Sequence, residues 1–121
     1  HVKLFMTNLN KLFPYGNDGF IIFYLKTGKT SEDTPFVQFR VGKNNKLILD
    51  FPYESDCYQN NWGLDLCKML EQLDIKYTKD DVSIQSTFMD VESASMITHK
   101  IFTEIFKSKP DYKVNISLNG N

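Results

Sequence analysis

Apolar and polar residues alternate along Phe36–Val41 and again along residues 46–51, on either side of the polar tetrapeptide 42–45. Successive side chains of a strand point to opposite faces, so this period of two predicts two strands that each bury one face. Glycine followed by asparagine residues is typical of tight turns. We therefore predict an antiparallel β-hairpin over residues 36–51.

Four further segments have the character of strands. The run Phe20–Leu25 is apolar or aromatic throughout, which predicts a central strand covered on both faces. Residues 82–88 alternate like the hairpin, and residues 75–77 predict a short additional strand before a turn at 78–81. The alternation over residues 114–118 predicts an optional last strand at an edge of the sheet.

Three segments have apolar residues at helical spacing, and they predict helices over residues 2–13, 62–73 and 91–107. Pro14 ends the first helix, Asn60 or Asn61 can cap the second, and Asp90 caps the third. The predicted apolar stripe of the second helix consists of Trp62, Leu66, Met69, Leu70 and Leu73. The predicted stripe of the third consists of Ala94, Ile97, Ile101, Phe102, Ile105 and Phe106.

The order of elements is therefore α-β-β-β-α-β-α with an optional last strand. Hairpin-connected strands with interspersed helices favour the α+β class: one antiparallel sheet of about four to five strands with flanking helices. A chain of 121 residues, 41% hydrophobic and 24% charged, has the size and composition of a single globular domain over residues 1–121.

Charge and hydropathy exclude two kinds of partner. The net charge of −1 argues against nonspecific binding of nucleic acid, which needs a basic face. The longest apolar run has six residues, so we expect no membrane-spanning helix. The N-terminus carries no signal-peptide pattern and begins at His1 rather than Met, so we expect a trimmed start and a cytoplasmic protein.

Motifs for metal, phosphate or cofactor binding are missing from the sequence. The two histidines, His1 and His99, belong to no HxxxH, HxH or CxxC pattern, so we expect no zinc site. Residues 27–30 read TGKT, but the glycine that opens a phosphate-binding loop is replaced by Phe23. We assign no catalytic, cofactor-binding or metal-binding residues.

Two weaker enzymatic alternatives stay open. Cys57 and Cys67 are expected to be reduced thiols, with Cys67 a small core residue of the second helix. A small enzyme that uses Cys57, or the carboxylates of Asp50 and Glu54 as an acid–base pair, is the alternative to a binding protein.

An acidic and aromatic segment after the hairpin is the first place at which we expect a partner to bind. Aromatic side chains supply contact area, while carboxylates steer the encounter with a basic partner. The candidate partner-binding residues are Asp50, Tyr53, Glu54, Asp56, Tyr58, Trp62 and Asp65.

The order and pattern of these elements resemble the type III secretion chaperone-like superfamily, in its small bacterial branch of TY-Chap-type domains. The similarity rests on FVQF followed by LILDFP in the hairpin, on Leu-Glu-Gln-Leu at the end of the second helix, and on the small-then-large apolar residues of the third. It covers roughly residues 2–106.

This resemblance implies a bacterial, non-enzymatic and often dimeric protein that holds a partner polypeptide on its sheet or helix surface. The resulting hypothesis is a chaperone-like protein-binding domain, with another protein as its partner and a homodimer as an open alternative. A second hypothesis is an immunity protein that binds a basic bacterial toxin. No cofactor, nucleic acid or membrane is expected in either case.

Overall fold

The structure, a computed structural model, describes residues 1–26, 34–52 and 60–119. The helices are α1 (Val2–Asn10), α2 (Asn60–Gln72) and α3 (Val91–Lys100). The strands are β1 (Phe20–Leu25), β2 (Phe36–Val41), β3 (Leu47–Pro52), β4 (Thr78–Lys79), β5 (Ser83–Phe88) and β6 (Val114–Asn119). Short 3₁₀ turns occupy Phe13–Asp18 and Lys43–Asn45, and a π-helical turn, Ile101–Ile105, continues α3.

The strands form one antiparallel sheet in the order β4-β5-β3-β2-β1-β6. This confirms the α+β class and the single antiparallel sheet. The count of four to five strands was wrong, because the sheet contains six. The optional last strand is present as β6, and it forms one edge of the sheet beside β1.

The hairpin that the sequence predicts is confirmed, with Val41 paired to Leu47 across its turn. Asn44 and Asn45 have φ values of 59° and 57°, in the left-handed region that asparagine tolerates better than most residues. The amide of Gly42 donates to the carbonyl of Lys46 at 2.7 Å and closes the turn.

The predicted strand at 75–77 is wrong, and the short strand β4 lies instead in the predicted turn. The hydroxyl of Ser86 donates to the carbonyl of Lys76 at 2.7 Å, which gives that carbonyl a side-chain partner before the strand begins. Pairing starts only at Thr78, opposite Gln85. A two-residue strand is too short to show a period of two in the sequence.

Helix α1 is shorter than the predicted range of 2–13. Proline at position 14 lacks the N–H that would bond to the carbonyl of Asn10, and its ring crowds that carbonyl. The chain therefore leaves the α-helix at Asn10 and continues as the 3₁₀ turn Phe13–Asp18, whose first turn accommodates Pro14.

The third predicted helix, residues 91–107, is α-helical only to Lys100 and then becomes π-helical. The amide of Phe106 donates to the carbonyl of Ile101, five residues back, at 2.9 Å. The hydroxyl of Thr103 donates to the carbonyl of His99 at 3.0 Å, where it competes with the backbone ladder. Lys107, at φ 56°, ends the helical path.

The helices pack on one face of the sheet and enclose the core. The ring of Phe5 on α1 meets Phe23 of β1 edge-on at 4.9 Å. Phe106, beyond the π turn, stacks on Phe51 of β3 at 6.3 Å. The predicted stripe of the third helix is buried apart from a half-buried Phe106, so this helix lies flat on the sheet.

On α2, the central part of the predicted apolar stripe is confirmed. Leu66, Met69 and Leu70 are buried, Cys67 is a buried free thiol, and Trp62 is half-buried. Leu73 is wrong as a core residue, because it lies beyond the end of the helix and is 40% exposed. The prediction that Asn60 or Asn61 caps this helix rests on side chains outside the described residues.

Strand β1 differs most from its prediction. It lies next to the edge of the sheet and not at its centre. Of its six residues, only Ile21 and Phe23 are fully buried. Within the described ranges, the opposite face of the sheet carries no helix. None of the described helices has the length and apolar character needed to cross a bilayer.

The predicted cap of α3 is confirmed and supports a first test. The carboxylate of Asp90 accepts the backbone amide of Ser93 at 2.7 Å, and this bond lowers the pKa of Asp90 below its ordinary value. We expect Asp90→Ala to lower the free energy of unfolding at neutral pH by about 1 kcal/mol in urea titrations. Asp81→Ala removes an exposed carboxylate without such a bond and should change it by less than about 0.5 kcal/mol.

The effect of Asp90→Ala should also depend on pH. A lowered pKa in the folded state contributes stability above the pKa of the unfolded chain, about 4. That contribution is lost as the pH falls through the lower pKa of the folded state. The difference between wild type and Asp90→Ala should therefore shrink on acidification, and an equal difference at pH 7 and pH 2 would contradict the cap.

Candidate interaction surface

The face of the sheet that no described helix covers, hereafter the open face, is built by the alternation of side chains along its strands. On β2, β3 and β5, and at Ile21 and Phe23 of β1, the residues that face the helices are buried. Their neighbours in sequence point the other way and are half-buried or exposed. The open face consists of Phe20, Ile22 and Tyr24 on β1, Phe36, Gln38 and Arg40 on β2, Ile48, Asp50 and Pro52 on β3, Ser83, Gln85 and Thr87 on β5, and Asn115, Ser117 and Asn119 on β6.

One half of the open face is apolar. Phe20, Ile22 and Tyr24 follow one another along β1, and Phe36 is paired with Tyr24 on the neighbouring strand. The rings of Tyr24 and Phe36 lie 5.9 Å apart, at a tilt of 48°. An antiparallel sheet with one solvated face normally turns polar residues outward. These four half-buried side chains therefore form an apolar patch where water-facing residues are the usual choice.

The other half carries polar groups that are half-buried. Asp50 lies directly between Gln38 and Gln85, and Arg40 lies between Phe20 and Ile48. Within the described part of the chain, no side-chain hydrogen bond or ion pair engages Gln38, Arg40, Asp50 or Gln85. Their donors and acceptors are therefore available to a molecule that lies on this face.

Cations gather at the turn end of the open face. Arg40, Lys43 and Lys46 line a concave region of about 620 Å³ together with asparagine side chains. A neighbouring concave region of about 760 Å³ adds Lys76 and shares Lys46 with the first. Among the described residues, no carboxylate lines either region. This end of the face therefore favours negatively charged groups on a bound molecule, although the chain as a whole has a net charge of −1.

The groups that the enzymatic alternatives need lie only partly within the described residues. Over residues 1–26, 34–52 and 60–119, no group of three histidine, cysteine or acidic side chains could hold a metal ion. Cys67 is buried on α2, and Cys57 and Glu54 lie outside the described residues. The enzymatic alternatives based on Cys57 or on Asp50 with Glu54 therefore stay predictions.

The predicted partner-binding residues do not all lie together. Asp50 belongs to the open face. The ring of Trp62 meets Phe106 edge-on at 4.9 Å on the helix-covered side, and Asp65 is exposed on the same helix. Tyr53, Glu54, Asp56 and Tyr58 lie outside the described residues. The structure thus separates Asp50 from Trp62 by the thickness of the sheet.

A polar cluster near the start of α1 had no signal in the sequence. The phenol oxygen of Tyr112 lies 2.8 Å from Nδ1 of His99. The backbone carbonyl of Tyr112 contacts the ring of His1, and the rings of His1 and Tyr112 stack with their centres 3.8 Å apart. Burial raises the pKa of Tyr112 above its usual value. His99 is half-buried here, although the sequence suggests a place on the polar side of its helix. His1, His99 and Tyr112 are far apart in the sequence and come together only in the folded chain, so no local pattern indicates this cluster.

Comparison of the chain with protein-family models, with curated proteins and with solved structures finds no match. The similarity to chaperone-like domains therefore stays a prediction from the order of the elements.

Proposed function

We propose that the chain is a non-enzymatic binding domain that holds another polypeptide on its open face. The observation that carries the proposal is the apolar patch of Phe20, Ile22, Tyr24 and Phe36 on a side of the sheet that no described helix covers. An apolar patch on an otherwise polar surface typically marks an interaction site. The resemblance to a class of proteins that hold client polypeptides supports the same role.

The chemistry of the face specifies the client. Apolar side chains of the client would lie over β1 and the start of β2, where the patch can exclude water from them. Its acidic side chains would lie towards Arg40, Lys43 and Lys46. Backbone or side-chain amides between these regions would bond to Gln38 and Gln85. The client is therefore a segment with apolar anchors followed by carboxylates.

Hydroxyl-radical footprinting of the complex with a purified partner tests this assignment. Tyr24 and Phe36 on the open face should oxidise more slowly once the partner is bound. Met96, which is 51% exposed on α3, should oxidise at an unchanged rate and serves as the internal control. Protection of Met96 with no change at Tyr24 and Phe36 would place the partner on the helix side and refute the proposal.

An immunity protein is the second candidate, and the position of Asp50 favours it. This carboxylate lies in the middle of the open face without an ion pair to any described residue. A basic toxin would pair with it, whereas an acidic client would not. We expect Asp50→Lys to weaken binding of a basic toxin at least about tenfold and to change binding of an acidic client less than about threefold. Titration calorimetry with the purified partner separates the two roles.

A further inference from the structure

The two edges of the sheet are protected to different degrees. One edge is β4, which has only two residues, one of them Lys79. The other edge is β6, which has six residues, Val114–Asn119, with neither a charge nor a proline among them. Natural sheets usually shield their edges with short strands, lysine or proline, since a free edge offers unpaired backbone groups. Strand β6 lacks these devices.

The hydrogen bonds of β1 and β6 show which backbone groups point outward. The amide of Lys26 donates to the carbonyl of Lys113 at 2.8 Å, so Lys113 bonds towards β1. Backbone groups of successive residues in a strand point to opposite sides, so Asn115, Ser117 and Asn119 also face β1. The N–H and C=O groups of the three alternate residues, Val114, Ile116 and Leu118, therefore point away from the sheet.

The side chains of these three residues lie on the helix-covered side of the sheet. Val114, Ile116 and Leu118 are paired with Leu25, Phe23 and Ile21, which face the core. Val114 and Leu118 pack partly against that core, while Ile116 is 37% exposed. The free edge thus combines unpaired backbone groups with an apolar row that is only partly covered.

We infer that β6 pairs antiparallel with β6 of a second copy, around a two-fold axis at Ile116. In this register Ile116 lies opposite Ile116 of the second copy, and Val114 lies opposite its Leu118. All three outward-facing residues of each chain then exchange backbone hydrogen bonds, and their apolar side chains meet on the helix-covered side.

Other registers use the edge less well. If the pairing of the two β6 strands were shifted by one residue, the apolar side chains of one copy would lie opposite polar residues of the other. A shift of the centre to Ser117 would place Val114 opposite residue 120, outside the strand. In the register centred on Ile116, Lys113 lies opposite Asn119 of the second copy, so no like charges oppose each other. The sequence of β6 is therefore complementary to itself.

Sedimentation equilibrium combined with amide hydrogen exchange tests this pairing. We expect a concentration-dependent dimer in which the amides of Val114, Ile116 and Leu118 are protected. On dilution to the monomer these three amides should exchange quickly, while those of Asn115 and Ser117 stay protected by β1. A mass of one chain at every concentration, or a dimer in which the three outward amides exchange quickly, would overturn the inference.

Two matched substitutions separate this edge from other dimer surfaces. Ile116→Lys puts like charges opposite each other and should raise the dimer dissociation constant at least about tenfold. Val82→Lys changes an apolar side chain that is 48% exposed in the turn before β5, and it should leave the constant unchanged. An unchanged constant for Ile116→Lys would overturn the inference, and the exchange pattern of the wild type decides the matter if that variant does not fold. The open face takes no part in this pairing, so either proposal can fail alone.

Discussion

Replacing Phe102 by alanine is expected to lower the free energy of unfolding by about 3–5 kcal/mol, the largest effect on stability that we predict. Phe102 is fully buried. Its ring lies 5.8 Å from Phe5 on α1, 5.3 Å from Phe106 and 5.1 Å from Tyr112. One side chain therefore joins α1, the π-helical turn and the segment that leads into β6. Truncation of Phe102 to alanine would leave a cavity, because these three elements cannot all move inward to fill it.

Urea titration followed by circular dichroism gives the size of this loss. Folded domains are stable by only about 5–15 kcal/mol, so the midpoint should fall steeply while the slope of the transition stays constant. Met96→Ala removes an exposed apolar side chain from α3 and should cost less than about 0.5 kcal/mol. Similar losses for the two variants would mean that the helix does not pack through Phe102.

Replacing Ile22 by aspartate is expected to weaken partner binding at least about thirtyfold, which corresponds to about 2 kcal/mol. Ile22 lies between Phe20 and Tyr24 along β1, and Gln38 is its direct neighbour on β2. A carboxylate there would be desolvated under the apolar anchors of the client without a cation beside it. Arg40 is two residues further along β2, opposite Phe20.

The control for Ile22→Asp is Leu4→Asp, a similar change on the outer side of α1. Leu4 is exposed and lies on the opposite side of the sheet. Leu4→Asp should leave the dissociation constant within about twofold of the wild type, as measured by titration calorimetry with the purified partner. Equal losses for both variants would point to general destabilisation, and an unaffected Ile22→Asp would exclude the open face as the binding surface.

The alternation of residues was enough to locate most of the sheet. Strands β1 and β2 have the bounds that the sequence predicts, and β3 is displaced by one residue. The period of two is a local property, since it follows from side chains pointing to alternate faces. The two-residue β4 gave no such signal, because it is too short to show a period of two. The π-helical turn lies within a segment whose apolar residues keep a helical spacing, so its sequence resembles that of an α-helix.

The candidate site was harder to predict because burial depends on what covers a strand. The run Phe20–Leu25 is apolar on both faces, and the sequence alone favoured cover on both sides. In the described part of the fold, the side of β1 that carries Ile21 and Phe23 is covered, and Phe5 of α1 packs there on Phe23. The pattern that is typical of a central strand is thus also the signal of the apolar patch. Asp50 was placed correctly in the hairpin, but the side of the sheet on which Trp62 lies follows only from the packing of α2.

Site-specific photocrosslinking can show whether a partner polypeptide lies on the open face. A benzophenone amino acid would replace Gln38 in the middle of this face or, in a matched variant, Met96 on the outer side of α3. We predict that irradiation of the complex links the partner to position 38 and leaves position 96 unlinked. Efficient crosslinking at position 96 with none at position 38 would show that the partner binds on the helix side and not on the open face.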